Sequence, residues 1–512
     1  MSRYAAWALS FLAGFLLMVL ELTASRLMAP IMGTSLYTWT AVIGVVLCGL
    51  SFGAYLGGVV IDRRPTLKTL GYTFFIGGLS ITILYLLTPG AFILATLPID
   101  IPLLATSVAA LLFFVPSLLL GMIQPMIVRL STDQLLSIGK TYGLLSAFWS
   151  LGSIAGVFLT GYMLIPRIGS LKTLILISVL LVFCGGCILR FARGRGKMIG
   201  TTLTLLLLFS MWATATIDYG HNVLFAKDTG YYSVAVADVD IPEYGPSRIF
   251  FLDIDTHSIE RTKKGEPLYT DSARLFAQSL SLTSSVAVIG AGAYTVPNDL
   301  ARYSSSSVLV IEIDPEVPGI AQRYFPVDRN VHTQIGDARI FFRRSKDSYD
   351  FIFGDAFSSS VSVPWHLLTK EFDTSIAEHL SSHGVYVVNI ISAVKGDKND
   401  LYRAVDETLR SVFPYVESYA FGTDLTGPQN IVFASSYSPL DPLVEKGSTT
   451  EVVLGARETF EHMRVTEKHE KGIILTDDYA PTEMLLAPVT RLTLSSSIAL
   501  HSAVLGLFES NE

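Results

Sequence analysis

The hydrophobic pattern of this chain changes near residue 218. Before that point apolar residues run on in long stretches with polar positions confined to the gaps. After it they come in short runs separated by charged turns. A stretch of about 20 apolar residues is what an α-helix needs to cross the hydrocarbon core of a bilayer. Such stretches fall near 5–29, 37–60, 69–88, 102–122, 143–165, 172–191 and 199–217, which predicts a helical membrane bundle of about seven spans. The first stretch continues into Glu21 and Arg26 with no small-residue cleavage site, so it reads as a span and not as a removable leader. Glycines recur inside the stretches, among them Gly53, Gly57, Gly58, Gly152, Gly156 and Gly161, and small residues let membrane helices approach closely. Gly121 and Pro125 predict a kinked fourth helix.

Residues 218–512 read as a second domain. Its first part, 218–280, is β-rich, with runs such as Tyr231–Asp240 and Ser247–Asp255. From 281 to 490 short apolar strands alternate with helical segments, the pattern of an α/β, doubly wound, Rossmann-like sheet. The apolar stretch 492–507 is broken by serines and His501, and both a membrane-surface helix and a packed terminal helix fit it.

The chemistry concentrates between Val286 and Asp355. A buried-type strand, Ser285 to Ile289, runs straight into Gly290 and Gly292, which allow a tight turn and close approach of backbone to a ligand. The next strand, Val308 to Ile313, carries Glu312, an acidic group about 20 residues beyond the glycines and so placed to accept hydrogen bonds from ribose hydroxyls. Asp314 precedes a proline and fits a cap of the following helix. Gly336-Asp337-Ala338 follows a third strand; Asp337 fits either an adenine-reading group or an ordinary helix N-cap. A fourth strand, Tyr349 to Phe353, ends at Gly354-Asp355. Four signals in this order describe a nucleotide pocket along the carboxyl ends of parallel strands.

Composition excludes some classes. With 50% hydrophobic and 16% charged residues and a net charge of -7, nothing points to nucleic acid. Cys48, Cys184 and Cys187 all lie in apolar runs and suggest neither a disulfide framework nor a zinc set. His379 and His383 are read as the last turn of a helix, where His meets the helix dipole favourably, and no metal site is expected. Lys and Arg cluster after the second, fourth and sixth stretches (Arg63, Arg64, Lys68; Arg129, Lys140; Arg190, Arg193, Arg195, Lys197), which places those ends in the cytoplasm. Seven full crossings then put the globular domain outside, whereas an adenosyl donor is made inside. The reading adopted is a cytoplasmic domain, with the threonine-rich 199–217 as the segment that does not fully cross.

These residues resemble the spermidine synthase (polyamine aminopropyltransferase) family, in its membrane-fused form, over roughly 225–490. The likeness extends to Leu252-Asp253 with Ser258, to Tyr269, to the Pro364–Phe372 stretch and to Asp477-Asp478-Tyr479-Ala480-Pro481. In the helical half it rests on Glu21, Arg26-Leu27, Pro30 and Gly33, and on Gly53–Gly58 with Asp62-Arg63. The resemblance implies transfer of an aminopropyl group from decarboxylated S-adenosylmethionine to an amine. Asp355 would then be the catalytic carboxylate, Gly290, Gly292, Glu312, Asp337 and Ala338 the donor pocket, and Tyr269, His257, His366 and Asp478 the substrate side. A homodimer is also compatible with it.

The chain departs from the family pattern at three places. The glycine loop, Gly290 to Thr295, lacks the acid that holds the aminopropyl amine; Phe357 to Ser360 replace a second acid after Asp355; and His257 stands where the family has glutamine. A diamine wants a carboxylate at each end, since a buried ammonium needs a partner. The departures therefore leave three readings open: transfer to a polyamine or a lipid-borne amine, methyl transfer from intact S-adenosylmethionine to a membrane substrate, and a non-catalytic sensor or transporter.

Overall fold

A computed structural model describes residues 1–97, 99–131, 138–193, 222–241, 245–261, 270, 273, 285–303, 307–356, 363–440, 462–466 and 469–504. The chain divides into two compact units, one comprising mainly Met1–His221 and the other mainly Val234–Leu500.

The first unit is helical: α1 (Arg3–Met32), α2 (Leu36–Arg63), α3 (Leu67–Ala95), α4 (Ile101–Ser131), α5 (Ile138–Leu159) and α6 (Ser170–Arg193). After α5 the chain passes through a π-helical turn, Thr160–Leu164, into Ile165–Ile168. Six of the described helical segments are long and apolar enough to cross a membrane by length and composition. The predicted seventh, 199–217, lies outside the described residues. Side-chain caps set the helix starts: Ser35 Oγ accepts from the Thr38 N–H at 3.2 Å, and Thr66 Oγ1 accepts from the Thr69 N–H at 3.2 Å. Helix α4 runs on through Pro116 and Pro125 without ending at either.

Close helix seams hold this unit, among them one between α3 and α6, where a Cβ on Gly185 would lie 2.6 Å from the Phe75 nitrogen. Along α2, a Cβ on Gly53 would lie 2.1 Å from the Leu118 carbonyl oxygen, and one on Gly57 would lie 2.6 Å from that of Met122. Against α5, a Cβ on Gly14 would lie 2.2 Å from the Trp149 carbonyl oxygen. Backbones this close gain dispersion contact along their length.

The second unit opens with an antiparallel sheet, β1 (Val223–Asp228), β2 (Ser233–Ile241), β3 (Gly245–Leu252) and β4 (Asp255–Arg261), in that order. The β3–β4 hairpin turns at Asp253, whose φ of 54° is the left-handed conformation that Asp tolerates better than most side chains. There follow β5 (Val286–Ile289), α7 (Thr295–Tyr303), β6 (Val308–Glu312), α8 (Val317–Tyr324), β7 (Val331–Ile335), α9 (Ala338–Arg344), β8 (Tyr349–Gly354), α10 (Lys370–Glu378), β9 (Leu380–Ser392), α11 (Asp400–Arg410), β10 (Tyr415–Ala420), β11 (Gln429–Ser436) and α12 (Thr482–Val504).

Strands β5 to β11 form one sheet in the order β10-β11-β9-β8-β5-β6-β7, in which β7, β6, β5, β8 and β9 pair in parallel and β11 is antiparallel to both of its neighbours. This is a doubly wound sheet. Its order reverses at β5, which lies between β6 and β8, and ligands in such sheets bind outside the strand ends at that reversal. Every residue of β5 is buried, as parallel strands covered on both faces require. Phe342, Phe372, Tyr386 and Phe433 fill the core around it.

The expectation for His379 and His383 needs correction. Helix α10 ends at Glu378, so His379 is its cap and His383 lies in strand β9. The His379 ring sits 2.7 Å from the Ser375 carbonyl and 3.2 Å from that of Ser345, whereas His383 Nδ1 sits 3.1 Å from Ser438 Oγ. Spacing suggested a shared helix face; β-pairing from Leu380 onward separates them. Helix α12 begins at Thr482, ten residues before the apolar stretch that starts at 492, and its first turns pack Leu486 and Val489 into the core.

Candidate active site

The glycine loop is built against the end of β8. Gly290 leaves β5 with φ 92°, and a Cβ there would lie 2.5 Å from the Asp355 carbonyl oxygen. Gly292 has φ 49°, and its Cβ would lie 2.8 Å from Ser258 Oγ. Both positions exclude side chains through backbone conformation and through space. Ser258 Oγ in turn accepts from the Ala293 N–H at 2.9 Å, so β4 fixes the loop from its far side. Tyr294, also left-handed at φ 65°, is buried, and its hydroxyl lies 2.6 Å from Thr333 Oγ1. Burial pushes that phenol up to about 12.

Glu312 stands at the carboxyl end of β6. Its two carboxylate oxygens accept from the Ala291 N–H at 2.9 Å and the Asp314 N–H at 2.8 Å. Burial raises its pKa, and those backbone donors oppose the rise. The residue read as a ribose acceptor thus also ties the glycine loop to the neighbouring strand. Asp314 does not cap α8: it accepts from the Glu316 N–H at 2.9 Å in a local turn, and α8 begins at Val317.

Asp337 is the N-cap of α9. Its Oδ1 accepts from the Ile340 N–H at 2.9 Å, and Oδ2 lies 3.2 Å from His366 Nε2. Ala338 is buried as the first residue of that helix. The cap geometry is therefore realised, and it leaves the Oδ2 edge beside His366.

Asp355 follows β8 directly. Its N–H donates to the Ile289 carbonyl at 2.9 Å, which places it beside the glycine loop. Its Oδ1 accepts from Asn389 Nδ2 at 3.1 Å, and the same Nδ2 lies 3.2 Å from Asn430 Oδ1. Because an aspartate oxygen only accepts, this contact fixes the Asn389 amide with its nitrogen toward Asp355. Asn389 is 2% exposed, and its Oδ1 is buried with no hydrogen-bond partner. Asn389 lies within β9, and its pairing with Asp355 depends on β9 lying next to β8 in register.

On the substrate side the positions differ. His257 lies next to Ser258 in β4, and burial lowers its pKa against the opposing charge of Asp255; its Nε2 is buried without a partner. Asp477 is engaged in structure: it pairs with Arg339 and accepts from Thr369 Oγ1 at 2.8 Å, and the Arg339 guanidinium holds its carboxyl below the usual range. Arg339 also donates to the His366 carbonyl at 3.0 Å, so this network supports the His366 segment. Arg339 was not singled out in the sequence, because its pairing with Asp477 joins residues 138 apart. Asp478 beside it is exposed. Tyr269 and Phe357 to Ser360 lie outside the described residues. Among the described residues no group of three or more His, Cys, Asp or Glu is arranged to hold a metal.

Topology and loop geometry together define a Rossmann-like, doubly wound α/β domain with a glycine loop at the point where its strand order reverses. Residues 275–439 match the spermine/spermidine synthase domain. A polyamine aminopropyltransferase of Vibrio vulnificus is 40% identical over 134 residues, 25% of this chain and 43% of that protein, so the chain spans less than half of that relative's length. A polyamine aminopropyltransferase of Corynebacterium efficiens is 24% identical over 509 residues, 89% of this chain and 93% of that protein. The crystal structure of a probable spermidine synthase from Corynebacterium glutamicum aligns over 49% of this chain and 96% of its own, with 16% identity and a TM-score of 0.36. The chain thus carries a spermine/spermidine synthase domain over 275–439 and is similar to polyamine aminopropyltransferases, one of them along most of its length.

Proposed function

We propose that this protein is a membrane-anchored aminopropyltransferase that uses decarboxylated S-adenosylmethionine and an amine acceptor. The observation that carries the reading is the placement of the Asp355 carboxylate, at the end of β8 beside a glycine loop tied to Glu312. In this reading Gly290, Gly292 and Glu312 hold the nucleoside, Asp337 and Ala338 border its base, and the sulfonium carbon faces Asp355. The amine lone pair attacks the carbon next to sulfur, the carbon–sulfur bond breaks, and methylthioadenosine leaves with the electron pair. The proton lost by the amine passes to the Asp355 carboxylate, for which an oriented base is needed because only the neutral amine is nucleophilic. Asn389 holds that carboxylate in place from the neighbouring strand.

The acceptor is a polyamine or an amine on a lipid headgroup. A lipid acceptor accords with the helices long enough to cross a membrane. The domain is assigned to the cytoplasmic side, where the donor is made. A second reading, methyl transfer from S-adenosylmethionine, is favoured by one observation. Ala293, in the loop where the family carries an acid for the aminopropyl amine, is buried and its N–H is taken by Ser258. Incubation of the protein with each donor separately, with polyamines and with extracted lipids, distinguishes the readings by the nucleoside formed. Methylthioadenosine from the decarboxylated donor supports aminopropyl transfer. S-adenosylhomocysteine establishes methyl transfer, and no nucleoside product from either donor defeats both.

A further inference from the structure

The helical unit contains a cavity of about 840 Å³ between α2, α4 and α5, within the size range of small-molecule sites. One wall is formed by Leu50, Ala54 and Gly58 of α2, which recur at helical spacing. Gly58 differs from Gly53 and Gly57 in the same helix. Those two press against the α4 backbone, whereas a Cβ on Gly58 would meet nothing within 4 Å. Helix packing therefore does not require glycine at 58, and the missing side chain leaves the space open.

The polar groups of this cavity are graded along its length. At the end where α2 and α4 finish, Arg129 Nε pairs with Asp62 Oδ1 at 3.1 Å; their side chains are 51% and 69% exposed. Gln124 lies five residues before Arg129, about 7.5 Å deeper along the helix. One end of its amide accepts from Ser10 Oγ at 3.2 Å, while Nε2 is buried with no hydrogen-bond partner. In an apolar bundle such an orphan donor costs free energy unless an occupant supplies an acceptor. Beyond it, toward Leu50, which stands about 18 Å from Asp62 along α2, the lining is apolar and includes Trp149.

We infer that this cavity binds one zwitterionic phospholipid. Its headgroup phosphate and ammonium meet Arg129 and Asp62, an ester carbonyl accepts from Gln124 Nε2, and an acyl chain lies along Leu50, Ala54 and Gly58. A paired acid and base at the mouth match a headgroup of both signs better than a purely anionic one. A free polyamine is disfavoured, since among the described residues the one carboxylate at the mouth already faces an arginine. The inference takes the helices as membrane-embedded and is independent of the transfer chemistry.

The test uses the full chain, exchanged through detergent into vesicles of equal phosphatidylethanolamine and phosphatidylglycerol, then released and weighed by native mass spectrometry. One phosphatidylethanolamine should stay bound per chain, in about tenfold preference over phosphatidylglycerol. Gly58→Phe should abolish retention, Gln124→Leu should reduce it about three- to tenfold, and Asp62→Asn should erase the preference between the lipids. Circular dichroism melts confirm that each variant remains folded, and Gln124→Leu and Asp62→Asn carry the test if Gly58→Phe does not. Equal retention of both lipids by the native chain, preference for the anionic lipid, or retention unchanged in the folded variants would overturn the proposal.

Discussion

Gly53 and Gly57 of α2 face another helix; after β5, Gly290 and Gly292 face a carbonyl and a hydroxyl that belong to the candidate site. Gly53 and Gly57 have ordinary helical backbones, and only the nearness of Leu118 and Met122 excludes a side chain. Gly290 and Gly292 are left-handed as well as crowded, by Asp355 and by Ser258. The first pair serves packing that extends over the whole helix. The second pair shapes a few ångströms of backbone and leaves the strand beneath unaffected. Substitutions in the two places should therefore fail in different ways.

Gly53→Leu should have the largest effect. Its side chain meets the α4 backbone, which cannot yield locally, so the variant should lose about 3 kcal/mol or more, seen as loss of folded protein in melts and on gel filtration. A native-like Gly53→Leu would mean that the seam is not as described. Gly290→Val strains the loop by about 1–3 kcal/mol and displaces Asp355. By calorimetry its affinity for methylthioadenosine should fall at least about tenfold, while the helical unit melts as before. Coincident loss of both units would erase the distinction. Glu312→Gln keeps the shape but weakens the hold on the Ala291 N–H, and affinity for the same nucleoside should fall about five- to tenfold.

Asn389→Ala removes a hydrogen bond to the candidate base and nothing on the nucleoside side. Turnover should drop about three- to tenfold, with unchanged methylthioadenosine affinity; a change in affinity alone would assign Asn389 to binding. His257→Gln gives the smallest effect. Its folded pKa is depressed by burial, so the stability of the neutral ring is fully present above about pH 6.5, the unfolded value, and is lost as pH falls from there through the lower folded value. The native protein should lose melting temperature between about pH 7 and 5.5 more steeply than the glutamine variant. Parallel curves would show that His257 protonates freely.

The comparison also explains what the sequence could disclose. Strands β5, β6 and β8 are continuous apolar runs ended by Gly or acid, so their pattern and their order survive without tertiary information. The helices likewise announce themselves by length, although they extend beyond the apolar windows because Ser2, Ser35 and Thr66 cap them in the polar flanks. Contacts between distant strands are another matter. Asn389 reaches Asp355 only because β9 pairs with β8, and Asp477 is held by Arg339 across 138 residues. No local spacing encodes either. His379 and His383 show the converse: a spacing that fits a helix is overridden once the chain enters the sheet at Leu380.

The most direct test of the account is the single-turnover rate of methylthioadenosine formation from decarboxylated S-adenosylmethionine, in the native chain and in Asp355→Asn, with saturating amine acceptor. Asparagine preserves the shape and still offers an oxygen to Asn389. Nucleoside affinity should therefore hold while the rate falls by about a hundredfold or more, as loss of a positioned base requires. An Asp355→Asn protein that turns over at the native rate would contradict the assignment of the base and, with it, the account of this site.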